Sequence, residues 1–224
     1  MGRLIVTIRT KLYAAIVVAV LGLTVAAGVG IWGMSRVGDR FDSVQTASNA
    51  SSIALQLKFD VTDYNGWQTA YGYDNGESRP QFLRSVARFN ADLARARRLL
   101  MGAAERRLLA RIGGASDDFM RLDAEAYGAV QAGRPMEVKR LLLGPEIVNF
   151  HRAAAAAQDL ASLEGRTAAA ENARFRDTRR DALRLLLIAA LVTGLFVVIL
   201  LVTANDLAKA AEGRIEHRPA DGLE

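Results

Sequence analysis

The sequence predicts an all-α protein in which two transmembrane helices flank an up-down-up-down four-helix bundle, and three observations carry that expectation. Residues 12–34 and 185–204 hold no charged side chain, and each run is long enough to cross a hydrocarbon core of about 30 Å. Between them, apolar residues recur at spacings of three and four, the period of helices with one buried face. Proline is confined to Pro80, Pro135, Pro145 and Pro219, and the turn signals Asp74-Asn75-Gly76 and Gly133-Arg134-Pro135 divide the middle of the chain.

The first apolar run follows Arg3, Arg9 and Lys11, which together with the small residues Ala26-Ala27-Gly28 resembles a signal peptide. It is too long for the 7–15-residue apolar region of such a peptide, so it reads as a transmembrane helix. A basic start without acids favours a cytoplasmic residue 1–11 segment, and two spans then return the C-terminus to the same side. Arg174, Arg176, Arg179, Arg180 and Arg184 before the second span, against Lys209, Arg214 and Arg218 after it, pull the other way. The charge rule is weak for a long connecting domain, and the first helix dominates. The predicted order is therefore a cytoplasmic 1–11, spans at 12–34 and 185–204, an extracytoplasmic domain at 35–184 and a short cytoplasmic tail at 205–224, placing the chain as a multi-pass protein of the cell membrane.

The formal net charge of +5 invites a nucleic-acid reading. Residues 35–184, however, carry 23 basic and 19 acidic side chains, a mixed solvated surface without the basic stripe that nucleic acid requires. Cysteine is absent, and His151 and His217 are far apart in sequence, so neither disulfides nor a zinc ligand set is predicted. No glycine-rich phosphate loop or catalytic dyad is present, and the chain is expected to carry no cofactor and no enzymatic activity.

Within 35–184 the predicted helices cover 35–73, 79–101, 103–132 and 136–184. The first runs straight on from the membrane span, with Phe41, Val44, Ser48, Ser51 and Leu55 on one stripe. Phe82, Val86, Phe89, Leu93, Ala96 and Leu100 make one apolar seam, and Leu108, Ile112, Ala115, Phe119, Leu122, Ala126 and Val130 make the next. Short connections make consecutive helices antiparallel neighbours. The turns at 74–76 and 133–135 then fall together at the end distal to the membrane, with Gly102 at the other.

Several segments resemble bacterial methyl-accepting chemotaxis receptors of the four-helix-bundle type. They are Thr7-Ile8-Arg9-Thr10-Lys11-Leu12, the span end Gly28-Val29-Gly30-Ile31-Trp32-Gly33-Met34, Asp118-Phe119-Met120-Arg121-Leu122, and Gly133-Arg134-Pro135 leading to Val138, Leu141 and Leu142. The resemblance covers residues 5–204. It implies a homodimer that binds a small molecule near the distal tip and carries a conformational signal across the membrane by a small displacement of the fourth helix. Such receptors continue into a linker module and a long cytoplasmic coiled coil. Here Ile215-Glu216-His217-Arg218-Pro219 is only faintly similar to the start of that linker, and residues 205–224 are too short to fold as one. Two other readings stand beside the sensor: a non-signalling membrane interaction protein, and the input half of a sensor kinase or cyclase.

The candidate ligand site lies in the first helix, where Tyr64, Trp67, Gln68 and Tyr71 share a face at spacings of three or four. With Asp63 and Asn65 they offer aromatic rings, an acid and amides to an amine, an amino acid or an aromatic ligand. The same rings equally fit the bundle core or a dimer seam with their polar tips reaching water. Arg95, Arg97, Arg98, Arg106, Arg107 and Arg111 read as a lipid- or anion-attracting cluster or as a solvated helix face. Asp117, Asp118, Asp123 and Glu125 lack calcium-loop spacing and read as a solvated face, and His151 reads as a surface or half-buried residue.

Overall fold

The computed structural model describes the backbone of residues 2–215, with side chains over 16–205 and at Tyr13. His217 and the linker-like residues 216–219 lie outside that range. All elements in it are helical: α1 (Gly2–Tyr73), α2 (Arg79–Leu99), α3 (Ala103–Gln131), α4 (Pro135–Leu141), a π-helical turn (Leu142–Glu146) and α5 (Ile147–Ile215). The chain divides into two compact units, one of Asp42–Arg174 and one made of the two ends up to Phe41 and from Phe175.

In the unit of the two ends, α1 and α5 each contain a stretch long and apolar enough to cross a membrane. These stretches are uncovered. Val25, Leu191 and Leu195 are each more than 60% exposed, whereas a soluble core helix would be buried on at least one side. Small residues bring the two helices together here: a Cβ on Gly30 would touch Leu186, and one on Gly33 would touch Ala182. Phe41 and Phe175 meet edge to face at 6.3 Å.

In the unit Asp42–Arg174, one core draws on four helices. Ile53, Leu57, Val61, Tyr64 and Tyr71 come from α1, Phe82, Phe89 and Leu93 from α2, Leu109, Ile112 and Phe119 from α3, and Ala153, Ala156, Ala157 and Leu160 from α5. The two predicted seams of α2 and α3 are these inward faces. On α5 the core positions are mostly alanine, so its backbone packs close to its neighbours, while the phenylalanines of α2 and α3 supply the volume. Tyr64 meets Phe89 at 5.3 Å and Phe119 at 5.0 Å, the centre of an aromatic cluster.

Of the stripe predicted on α1, Phe41, Ser48 and Leu55 are exposed and Val44 and Ser51 half-buried; an exposed line runs through Gln45, Ser48, Ser52, Leu55, Phe59, Thr62, Gly66, Thr69 and Tyr73.

The fourth helix also departs from the expectation of an unbroken 136–184. It starts at Pro135 and is interrupted by the π turn at Leu142–Glu146, where Gly144 adopts φ −109°, ψ −107°. Proline has no N–H to donate to the carbonyl four residues back, and its ring crowds that carbonyl, so Pro145 forces the break. Gly72 of α1 accommodates the turn, since a Cβ there would run into Leu142 Cδ1.

At the other connection, Asn75 (φ 57°) and Gly76 (φ 97°) are left-handed. The Asp74 carboxylate accepts the N–H of Gly76 at 3.2 Å and of Ser78 at 3.0 Å, closing the turn before α2.

Phe119 is fully buried between α1 and its neighbours. Truncating it removes both transfer free energy and packing, so Phe119→Ala should lower unfolding stability by about 3–5 kcal/mol, measured by chemical denaturation of the full chain in detergent.

Candidate functional site

The six residues of the predicted ligand site do not converge. Tyr64 is fully buried, its hydroxyl 3.1 Å from Ser116 Oγ, and burial pushes its phenol up to about 12. Asp63 turns toward α2, where its carboxylate accepts from Ser85 Oγ and pairs with Arg88. Asn65 is half-buried, and Trp67 is 37% exposed on the outer side of α1. Only Gln68 and Tyr71 enter a common polar centre.

That centre is Asp123 of α3, an acid expected on a solvated face. Asp117, Asp118 and Glu125 are exposed, but Asp123 is buried. The reason is register: Asp123 stands in the inward series Ile112, Ser116, Phe119, Asp123, Ala126 of α3. Its carboxylate accepts from Tyr71 Oη, from Gln68 Nε2 at 3.2 Å, and from Arg79 Nη1 at 2.7 Å on both oxygens. Arg79 is held in turn by rings. Its guanidinium carbon lies 4.4 Å from the Tyr127 centroid, 4.7 Å from Phe82 and 4.8 Å from Tyr71. Burial and the Asp123 charge raise the Tyr71 phenol well above its usual range, so it stays a donor.

Glu146, in the π turn, adds a second acid to this centre. It is 1% exposed, and its carboxyl oxygens meet no donor at full hydrogen-bond geometry, with the Gln68 side chain the neighbouring donor. Burial pushes its carboxyl up to about 8, with Asp123 and Glu125 adding to the shift while Gln68 and Arg79 oppose it. No sequence signal singled it out, because the Gly144-Pro145 break destroys the helical period just where Glu146 turns inward.

Asp60 forms a lesser centre further along α1. It is fully buried, accepts from Gln56 at 2.9 Å and lies 3.3 Å from Arg88 Nε, with Oδ2 unpartnered. Burial raises its carboxyl to about 6, and Asp92 adds to this. Near the start of α3, burial and Glu105 raise the Glu164 carboxyl as well.

Two surface hollows lie between α3 and α5. One of about 580 Å³ is lined by Arg107, Arg111, Ser162 and Arg166, and one of about 320 Å³ by Arg111, Asp118 and Arg152. Both are open grooves. Arg95, Arg97, Arg98, Arg106, Arg107 and Arg111 are all exposed, as is His151, whose ring lies 5.2 Å from Phe150. Among the described residues no group of acids and histidines has the arrangement of a metal site.

The raised carboxyls set the sign of a pH dependence. The folded chain binds the Glu146 proton more tightly than the unfolded chain, whose carboxyl titrates near 4.5. The stability this confers is complete below pH 4.5 and is lost as pH rises through about 8. Thermal melts of the full chain in detergent should therefore show a midpoint falling between pH 5 and about 8, and Glu146→Gln should flatten the upper part of that fall. Compared with protein-family models, curated proteins and solved structures, the chain has no significant match, so the functional reading rests on its own residues.

Proposed function

We propose that this chain is a membrane-anchored sensory protein of the chemoreceptor-like kind. In this reading α1 and α5 cross the cell membrane, and residues 35–184 form an extracytoplasmic up-down-up-down four-helix bundle. The bundle detects a small molecule or partner, and a shear of the fourth helix against the first carries the change inward. The protein itself performs no chemistry.

The observation that carries the reading is connectivity. The two helices with membrane-length apolar stretches are the same two that supply Leu57, Val61 and Tyr64, and Ala153, Ala156 and Leu160, to the core of the other unit. A ligand that repacks that core acts directly on helices that also enter the membrane.

The exposed line on α1 supports pairing with a second copy. Nine positions from Gln45 to Tyr73, at alternating spacings of three and four, are exposed, and none is charged. A 3.5-residue period keeps one seam facing a partner helix through a left-handed supercoil. Leu55 and Phe59 would sit at its centre, each more than half exposed in the single chain. A second reading, an interaction module for another protein, is favoured by the open form of the α3/α5 grooves.

Single cysteines can be placed along α1, since the native chain has none. In native membranes, cysteines at Ser48, Ser52, Phe59 and Thr62 should form disulfide-linked dimers at least several-fold faster than cysteines at Asn49 and Lys58. Equal rates at all six would remove the α1 seam. A membrane-impermeant maleimide should label the cysteine at Asn49 in intact cells; labelling only after lysis would place the domain on the cytoplasmic side and defeat the sensor reading.

A further inference from the structure

The surroundings of Arg79 have the composition of a cation receptor. Tyr71, Phe82 and Tyr127 present three rings within 4.8 Å of one guanidinium, with Tyr71 and Phe82 edge to face at 5.5 Å and Tyr71 and Tyr127 at 5.9 Å. A carboxylate forks onto the same group at 2.7 Å. This is the arrangement by which proteins recognise guanidinium and ammonium ligands, and here the chain's own side chain fills it. One feature exceeds what Arg79 needs: Glu146 supplies a second, fully enclosed acid that no cation pairs with at ion-pair distance. Two acids share a single cation.

We propose that Tyr71, Phe82, Tyr127, Asp123 and Glu146 form a binding site for a guanidinium- or amine-bearing small molecule, in which Arg79 is an internal occupant that the ligand displaces. Arg79 is placed for this role. It is the first residue of α2, immediately after the 74–78 turn, and remains 16% exposed while Asp123 is 4% exposed. Its side chain can swing outward without unwinding a helix interior, and the incoming cation would take over Asp123 and engage Glu146. Occupancy would act on the π turn that holds Glu146, and so on the start of α5. The site rests on the sensor reading above and specifies its ligand class.

The test uses the full chain in detergent, methylguanidinium as the cationic probe and methylurea as its neutral counterpart of similar shape. Arg79→Gln empties the box; Arg79→Met, uncharged and similar in length, is a second host if the first does not fold. Millimolar methylguanidinium should raise the thermal midpoint of the emptied variant by about 4 °C. The native chain should respond in the same direction at concentrations at least tenfold higher, because its own guanidinium competes. Adding Glu146→Gln to the emptied variant should weaken the response at least tenfold, and methylurea should move none of the chains. An equal response to methylurea, a response in the variant but none in the native chain, or indifference to Glu146→Gln would each overturn the site. Absence of any response would overturn it too, while impermeant-maleimide labelling at position 49 decides the sensor reading independently.

Discussion

The Asp123 carboxylate draws together chain segments that lie far apart in sequence. Tyr71 and Gln68 reach it from α1, Arg79 from the start of α2, and Glu146 stands within electrostatic range from the π turn. A buried charge is costly unless paired and hydrogen-bonded. Asp123 is satisfied by three donors, so the helices that supply them are held in one register. Replacing such a centre by well-packed apolar residues is often neutral for stability. Such a centre fixes the register of the helices that supply the donors more than it adds net stability.

Packing around that centre is uneven in a way that matters for motion. The aromatic cluster of Tyr64, Phe89 and Phe119 fills the middle of the core with large, interlocked rings. The face that α5 contributes is largely alanine, which forms few interlocking contacts and lets one helix slide along another at low cost. Where α5 begins, the Gly144-Pro145 break removes a backbone hydrogen bond and a side-chain knob together. Gly72 gives that break its room. The π turn that carries Glu146 is thus held by side-chain packing, Leu142 among it, and not by a continuous helical hydrogen-bond ladder.

The arrangement of acids extends this theme along the domain. Asp60, Glu146 and Glu164 are all buried, and each retains an oxygen that meets no donor at full hydrogen-bond geometry. In each case burial is the main cause of the raised carboxyl, and each also has a neighbouring acid. A proton on such a group removes the charge that would otherwise have to be desolvated. Protonation and cation binding are therefore alternative ways of neutralising the same site, and the packed state favours whichever is available.

Much of this molecule is legible in one dimension. Two uncharged runs identify the membrane-length helices, because hydrophobicity over about 20 residues requires no tertiary context. The three-four spacing of Phe82, Phe89, Leu93 and of Ile112, Phe119, Leu122 located the buried faces of α2 and α3, because a helix has only one geometry. The candidate site was only partly legible. Gln68 and Tyr71 were visible as polar and aromatic residues on one face, but their partner Asp123 looked like one acid among several exposed ones. Its place in the apolar register of α3 was the signal that could have found it. Composition, period and turn chemistry determined the helices and their boundaries except at the π turn Leu142–Glu146, since most of those depend on local backbone preferences. Only the tertiary structure decided which of the chain's acids lose water and meet Arg79, because desolvation and pairing arise between residues that sequence distance does not connect.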